Sequence, residues 1–159
     1  MRQGRGHGSI GRVETLAAGP VTRQATGRLT IATPGQGFTD FTGAVAEFVR
    51  DSGVTAGLAH VFCRHTSASL TIQENADPDV QTDLLTALDG LAPRHGAYVH
   101  GAEGPDDMPA HIRTMLSDSG LVVPVAGGRL ALGTWQGIYL IEHRDRPHRR
   151  EILVGVMGS

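Results

Sequence analysis

Three stretches of the 159-residue chain gather the side chains able to bind anions, hold metals or move protons. The first runs Arg64-His65-Thr66-Ser67-Ala68-Ser69 and on to Glu74-Asn75. The second spans His100 to His111 and holds Glu103, Asp106 and Asp107. The third is Gly133-Thr134-Trp135-Gln136, followed by Glu142-His143. Hydroxyls of Thr66, Ser67 and Ser69 around His65, with the charge of Arg64, suit phosphate oxygens. The same hydroxyls suit a turn in which they cap backbone groups. His65, His100 and His111 form a candidate trio for a zinc-like metal. Neutral imidazole is the commonest nitrogen ligand, and three ligands with an open position make a catalytic site. The trio lacks the His-Glu-x-x-His spacing of a zinc helix, so isolated histidines are the competing reading. Asp106-Asp107 offers hard oxygens for Mg²⁺ beside a phosphate, or a cap for the helix that follows. Glu74 continues an alternating strand on its apolar face, where an unpaired carboxylate is costly. That makes it a candidate for acid/base work.

Other residues read more plainly. Trp135, the one tryptophan, is expected to pack, with Gln136 pointing the other way. Cys63 precedes His65 by two residues and so allows a thiolate–His pair, but a buried strand cysteine is the ordinary reading. Gly127-Gly128 reads as a hairpin turn, and no dinucleotide or phosphate-loop glycine pattern occurs.

Composition narrows the chemistry further. All 14 basic residues are Arg, so Schiff-base and lysine catalysis are excluded. Sixteen acids against 14 bases give a formal charge of −2, and no nucleic-acid partner is expected. A single cysteine excludes an internal disulfide and a cysteine-rich metal site. No apolar run approaches a membrane span, and residues 1–19 lack the apolar core of a secretory signal. A cytoplasmic protein with no membrane partner is the expectation.

These groups need elements to position them. Residues 1–19, rich in Gly and Arg, read as a flexible arm, and 20–159 as one domain. Strands are expected over Val21–Thr33, Val54–Cys63, Ala68–Glu74, Leu121–Ala126, Arg129–Leu132, Thr134–His143 and Arg150–Met157. A first helix is signalled by Phe41, Val45, Phe48 and Val49, with Thr39 or Asp40 as cap and Gly53 as stop. Asp77-Pro78 opens a second helix whose stripe is Val80, Leu84, Leu88 and Leu91, widened by Leu85 and ended by Pro93. A third, short helix has Ile112, Met115 and Leu116 as its apolar face. The pattern is α+β, with antiparallel sheets in two packed layers and three helices.

The chain also resembles a known family. His65-Thr66-Ser67-Ala68-Ser69-Leu70-Thr71-Ile72 with Glu74-Asn75 and Asp77-Pro78 is the first motif that carries the likeness. Asp106-Asp107 with Ala110-His111 is the second. Leu130-Ala131-Leu132-Gly133-Thr134-Trp135-Gln136 with Glu142 is the third. Together they resemble the YjbQ-like family over about residues 20–158. The resemblance implies a jelly-roll-like antiparallel β-sandwich, a homotrimer with polar clefts near subunit contacts, and weak, secondary thiamine-phosphate synthase activity. That reaction joins a pyrimidine methyl diphosphate to a thiazole phosphate and releases pyrophosphate. The family's polar motif falls on His65, Thr66, Glu74, Asn75, His100, Asp107, His111, Gln136 and Glu142. In the enzyme reading Arg64 and Arg113 meet phosphate, with Ser67 and Ser69 beside it. Asp106 and Asp107 hold Mg²⁺, the three histidines hold a transition metal or transfer protons, and Glu74 and Glu142 orient them. Many relatives have Asn where this chain has Met108, which bears on substrate scope. The alternatives are a metal-dependent hydrolase of a small phosphorylated or cyclic compound, and a non-catalytic trimer that binds a small anion.

Overall fold

The structure is a computed structural model that describes residues 12–16 and 18–159; residues 1–11 and 17 of the expected arm lie outside the described residues. Eight strands and three helices follow in the order β1 (Arg23–Thr33), β2 (Gly37–Asp40), α1 (Thr42–Ser52), β3 (Ala56–Cys63), β4 (Ala68–Glu74), α2 (Pro78–Leu91), α3 (Asp107–Leu116), β5 (Gly120–Ala126), β6 (Arg129–Leu130), β7 (Gln136–Glu142) and β8 (His148–Gly158). All strand pairings are antiparallel. A larger sheet has the order β1-β8-β3-β5-β6 and a smaller one β2-β7-β4. The core lies between them. Ala59, Val61, Val123, Ile152 and Val154 come from the larger sheet, and Leu70, Ile138 and Leu140 from the smaller. The architecture is the α+β antiparallel arrangement read from the pattern.

The period-2 strands fold as their patterns dictate. On β5, Leu121, Val123 and Val125 turn inward while Val122 and Pro124 face out. Gly127 and Gly128, at φ +57° and +71°, supply the left-handed pair that a tight hairpin needs before β6. β7 is different: every residue from Gly137 to Glu142 is buried. It is the middle strand of the smaller sheet, covered on both faces, and its continuous apolar run reflects that. β2 was not legible in advance, being four residues long with none fully buried.

The helices obey their end signals better than their face signals. Asp40 Oδ1 accepts from the Thr42 amide at 2.8 Å, and Gly53 ends α1 at φ +69° with its N–H on the Arg50 carbonyl. Asp77 caps α2 by accepting from the Asp79 amide at 2.9 Å, with Pro78 in the first turn. Yet no residue of α2 is fully buried, and Leu91 is exposed. α3 inverts the expected face. It buries Asp107, Pro109, Ala110 and Arg113, while Met115 and Leu116 point to solvent. The physical reason is that its inward charges find partners: Arg113 Nη2 donates to the Ala92 carbonyl at 3.0 Å and meets Asp89 at 2.8 Å, although its Nε has no partner. Buried polar groups with partners carry little penalty. Among the described residues, no helix is long and apolar enough to cross a membrane.

Candidate metal centre

α3 begins at Asp107 and carries His111 one turn later, so both side chains lie on one helix face. The preceding loop brings His100 onto the same spot. His100 Nε2 lies 2.6 Å from Asp107 Oδ2, and His111 Nε2 lies 3.6 Å from the same oxygen. All three ligand atoms fall within 4.8 Å of one another. The two imidazole rings are 5.4 Å apart, centre to centre.

Hydrogen bonds orient this set. His111 Nδ1 donates to the Thr66 carbonyl at 3.0 Å, which leaves the Nε2 lone pair of the neutral ring facing the Asp107 carboxylate. Two lone pairs that face each other are satisfied by a proton or a cation between them. A carbonyl on the far nitrogen is also what fixes a metal-binding imidazole in place. The same Thr66 carbonyl lies 3.2 Å from Thr114 Oγ1, whose hydroxyl donates at 2.7 Å to the His111 carbonyl. Donors around a zinc-like ion at ~2.05 Å sit ~3.3 Å apart at the tetrahedral angle. The 3.6 Å pair already matches that spacing. The 2.6 Å contact is a hydrogen bond whose proton must leave as a cation enters. Asp107 is buried, and His100 is half exposed, so the open side of the centre faces solvent.

The acidic pair already shares one guanidinium. Arg144, which follows β7, donates from Nε to Asp106 Oδ2 at 3.0 Å, from Nη2 to the Glu103 carbonyl at 2.7 Å, and from Nη1 to Asp107 Oδ1. The Asp145 amide also donates to Asp106 Oδ2, at 3.0 Å. Burial acts to raise the Asp106 carboxyl, but the Asp145 amide and the Arg144 guanidinium outweigh it and hold it below the usual carboxylate range. A guanidinium thus stands where Mg²⁺ was expected between Asp106 and Asp107.

The remaining sequence-predicted residues divide into two groups. His65 does not join the converging donors. Its Nε2 accepts from the Glu151 amide at 2.7 Å, and burial together with the nearby Arg150 charge lowers its pKa. A neutral ring whose Nε2 accepts carries its proton on Nδ1 and has no lone pair left for a metal. Arg64 and Arg28 pair with Glu151. Ser67 Oγ accepts from Arg150 Nη2 at 3.1 Å. Glu142 orients Arg150 rather than a histidine. Its Oε2 accepts from Arg150 Nε at 2.7 Å and from Thr33 Oγ1 at 2.8 Å. Burial acts to raise Glu142, and the Arg150 guanidinium overrides it, keeping the carboxyl low. Ser69 bonds His143 Nε2 at 2.7 Å. Arg113 lies under α2, paired with Asp89 and away from solvent. Burial raises the Cys63 thiol, which leaves it a buried strand cysteine.

Glu74, Asn75 and Gln136 lie elsewhere. The register of β4 on β7 pairs Ala68 with Glu142 at one end and Glu74 with Gln136 at the other. Those ends are six residues apart, about 20 Å at ~3.4 Å per residue. Gln136 Oε1 accepts from the Gly133 amide at 2.8 Å there, and Asn75 Nδ2 reaches the Gln136 carbonyl at 3.5 Å. Trp135 at this end is exposed, contrary to the expectation that it packs. The turn before β7 carries it outward, where no core residue can cover it.

Arg144 was missed by sequence reasoning, although its neighbour His143 closed the third polar stretch. The available signal was the run Glu142-His143-Arg144, three ionisable residues closing an otherwise apolar strand.

The match to known proteins covers these same elements. The model of the YjbQ family, described as UPF0047 protein YjbQ-like, matches residues 27–159. The chain belongs to this family. A UPF0047 protein of Synechocystis is 51% identical over 145 residues, covering 91% of this chain and 99% of that protein. The UPF0047 protein YjbQ of Escherichia coli O157:H7 is 41% identical, covering 82% of this chain and 96% of its own. A crystal structure of a YjbQ/UPF0047 family protein from Clostridium acetobutylicum superposes with a TM-score of 0.76 at 43% identity, over 81% of this chain and 98% of that one. The YjbQ-like chains therefore share the α+β frame that carries His100, Asp107, His111 and Arg144 here.

Proposed function

We propose that this YjbQ-like protein is a metal-dependent enzyme of small phosphorylated molecules, centred on His100, Asp107 and His111. The observation that carries the reading is the convergence of two imidazole nitrogens and one carboxylate oxygen within 4.8 Å, open to solvent on one side. Two His and one carboxylate with open positions suit a borderline divalent ion of the zinc or iron type. Bound there, such an ion supplies Lewis-acid polarisation of a phosphoryl or carbonyl oxygen. The chain's own residues do the rest. Thr66 fixes the His111 tautomer, and Arg144 offsets one of the two charges of Asp106 and Asp107.

Family resemblance supplies the reaction to test first, weak thiamine-phosphate synthesis. In it a C–O bond to diphosphate breaks and a C–N bond to the thiazole forms. Hydrolysis of a small phosphorylated or cyclic compound is the second reading, favoured by the solvent-facing side of His100. Homotrimeric assembly with clefts at subunit contacts is part of the proposal. Its support is the exposure of Leu58, Phe62, Val122 and Met157 on the outer face of the larger sheet.

The test begins with elemental analysis of tag-free protein purified without chelator or an affinity-metal column. About one zinc-like ion per chain, lost in His111→Ala, supports the centre. Thiamine-phosphate formation and a phosphoester panel are then run on the wild type and on His111→Ala prepared identically. Equal rates in both preparations would point to contamination and sink the enzyme reading. A metal-loaded protein that is stabilised by a ligand it never changes would leave a binding module.

A further inference from the structure

Asp107 presents its two oxygens to different partners. Oδ2 faces both imidazoles, at 2.6 Å from His100 Nε2 and 3.6 Å from His111 Nε2. Oδ1 is held by Arg144 Nη1. The same rigid guanidinium spans Asp106 Oδ2 and the Glu103 carbonyl, so one plane meets three acceptors on the segment that leads into α3. Arg144 is itself mostly buried. Its two chain predecessors are also anchored, Glu142 to Arg150 and His143 to Ser69. The grip on Asp107 is therefore tied to the sandwich rather than to the mobile end of a side chain.

We infer that Arg144 is a positioning residue of the metal centre: it holds Asp107 so that one oxygen meets the two imidazoles, and thereby selects the class of cation. This rests on the metal reading above. The class selected is a borderline ion that accepts two nitrogens and one oxygen. Mg²⁺, Mn²⁺ and Ca²⁺ favour oxygen-rich sites. Arg144 occupies the oxygens that such a site would recruit, Asp107 Oδ1 and Asp106 Oδ2.

Charge and position predict opposite signs, which makes the role separable. A guanidinium beside a cation site repels the cation. If Arg144 acted by charge alone, removing it would tighten every divalent ion. As a positioning residue, its removal loosens zinc while freeing oxygens for manganese. Lysine keeps the charge but cannot fork across two carboxylates.

The experiment is calorimetric titration of the metal-free full chain with Zn²⁺ and, separately, Mn²⁺. It compares the wild type with Arg144→Ala, Arg144→Lys and Arg94→Ala, each checked for folding by a metal-free thermal melt. Arg94 pairs with Asp145 beside the same loop and so reports general loosening without touching Asp107. Both Arg144 variants are expected to lose zinc affinity by about ten- to a hundredfold. The zinc-to-manganese affinity ratio falls with it, and Arg94→Ala stays within a few-fold of the wild type. The Lys variant decides if the Ala variant does not fold. Unchanged or tighter zinc binding in the deciding variant, full retention by Lys, or an equal loss in Arg94→Ala overturns the inference. A wild type that binds neither ion is a different result, since it overturns the metal centre itself.

Discussion

A carboxylate shared between one guanidinium and two imidazoles depends on its charge more than on its shape. Asp107→Asn keeps the shape of the side chain and removes the anion. The amide places a donor group where Arg144 also donates, or turns it toward the histidines. Zinc binding is expected to fall by at least about a hundredfold, since an amide is a far poorer ligand than a carboxylate, with the loss read by calorimetry. A variant that binds zinc as the wild type does would remove Asp107 from the ligand set. His143 makes a separate prediction at the same scale. It is fully buried, and burial first, then the Arg113 charge, lowers its pKa to about 4. The unfolded chain takes up that proton near pH 6.5 and the folded chain only near 4, so stability is full above 6.5 and falls as the pH drops toward 4. The span corresponds to about 3 kcal/mol. Glu142 and Asp106, both held below their ordinary values, add losses of the same sign at lower pH. Urea unfolding of metal-free protein at pH 7 and pH 4.5 measures the slope, which His143→Gln should flatten. An unchanged slope in that variant would mean that other groups carry it.

At the level of elements, what was legible followed from signals that are local in sequence. Asp77-Pro78 and Gly53 mark helix ends through backbone chemistry that does not depend on the rest of the fold. Asp77→Ala is accordingly expected to cost about 1 kcal/mol, read from a denaturation midpoint. Faces and pairings were less legible because they depend on partners far along the chain. The apolar residues of α3 suggested an inward face of Ile112, Met115 and Leu116, but Arg113 finds Asp89 and Ala92 beneath the helix and turns inward instead. Ala110 is consequently fully buried, and Ala110→Leu should cost about 1–3 kcal/mol by overpacking. A neutral result would place Ala110 on a surface. The site shows the same division. His100, His111 and Asp107 were all flagged from residue type, whereas the exclusion of His65 turns on which ring nitrogen meets the Glu151 amide. Arg144 became visible only through its reach back to a loop some forty residues earlier.

The whole molecule poses the question that neither residues nor elements resolve. Antiparallel pairing of β4 with β7 sends two parts of one polar motif to opposite ends of the smaller sheet. His65, Thr66 and Glu142 stay near the metal end, and Glu74, Asn75 and Gln136 lie about 20 Å away at ~3.4 Å per residue. Meanwhile the larger sheet presents an apolar outer face. Leu58 is in register with both Pro124 and Met157, His60 is in register with Val122, and Phe62 follows on the same face. Leu58, Phe62 and Val122 are 45%, 46% and 61% exposed, and contiguous apolar surface of this kind marks association sites. Association of copies would cover this face. For the homotrimer that the family resemblance implies, light scattering behind size exclusion is expected to give three times the 16.8 kDa chain mass. Phe62→Glu should shift the protein toward the single-chain mass, because a carboxylate at a closed interface is desolvated without a partner. Zinc binding in that monomer should persist, since all three ligands belong to one chain. A wild type that runs at the single-chain mass at micromolar concentration would leave the outer face without a self-partner.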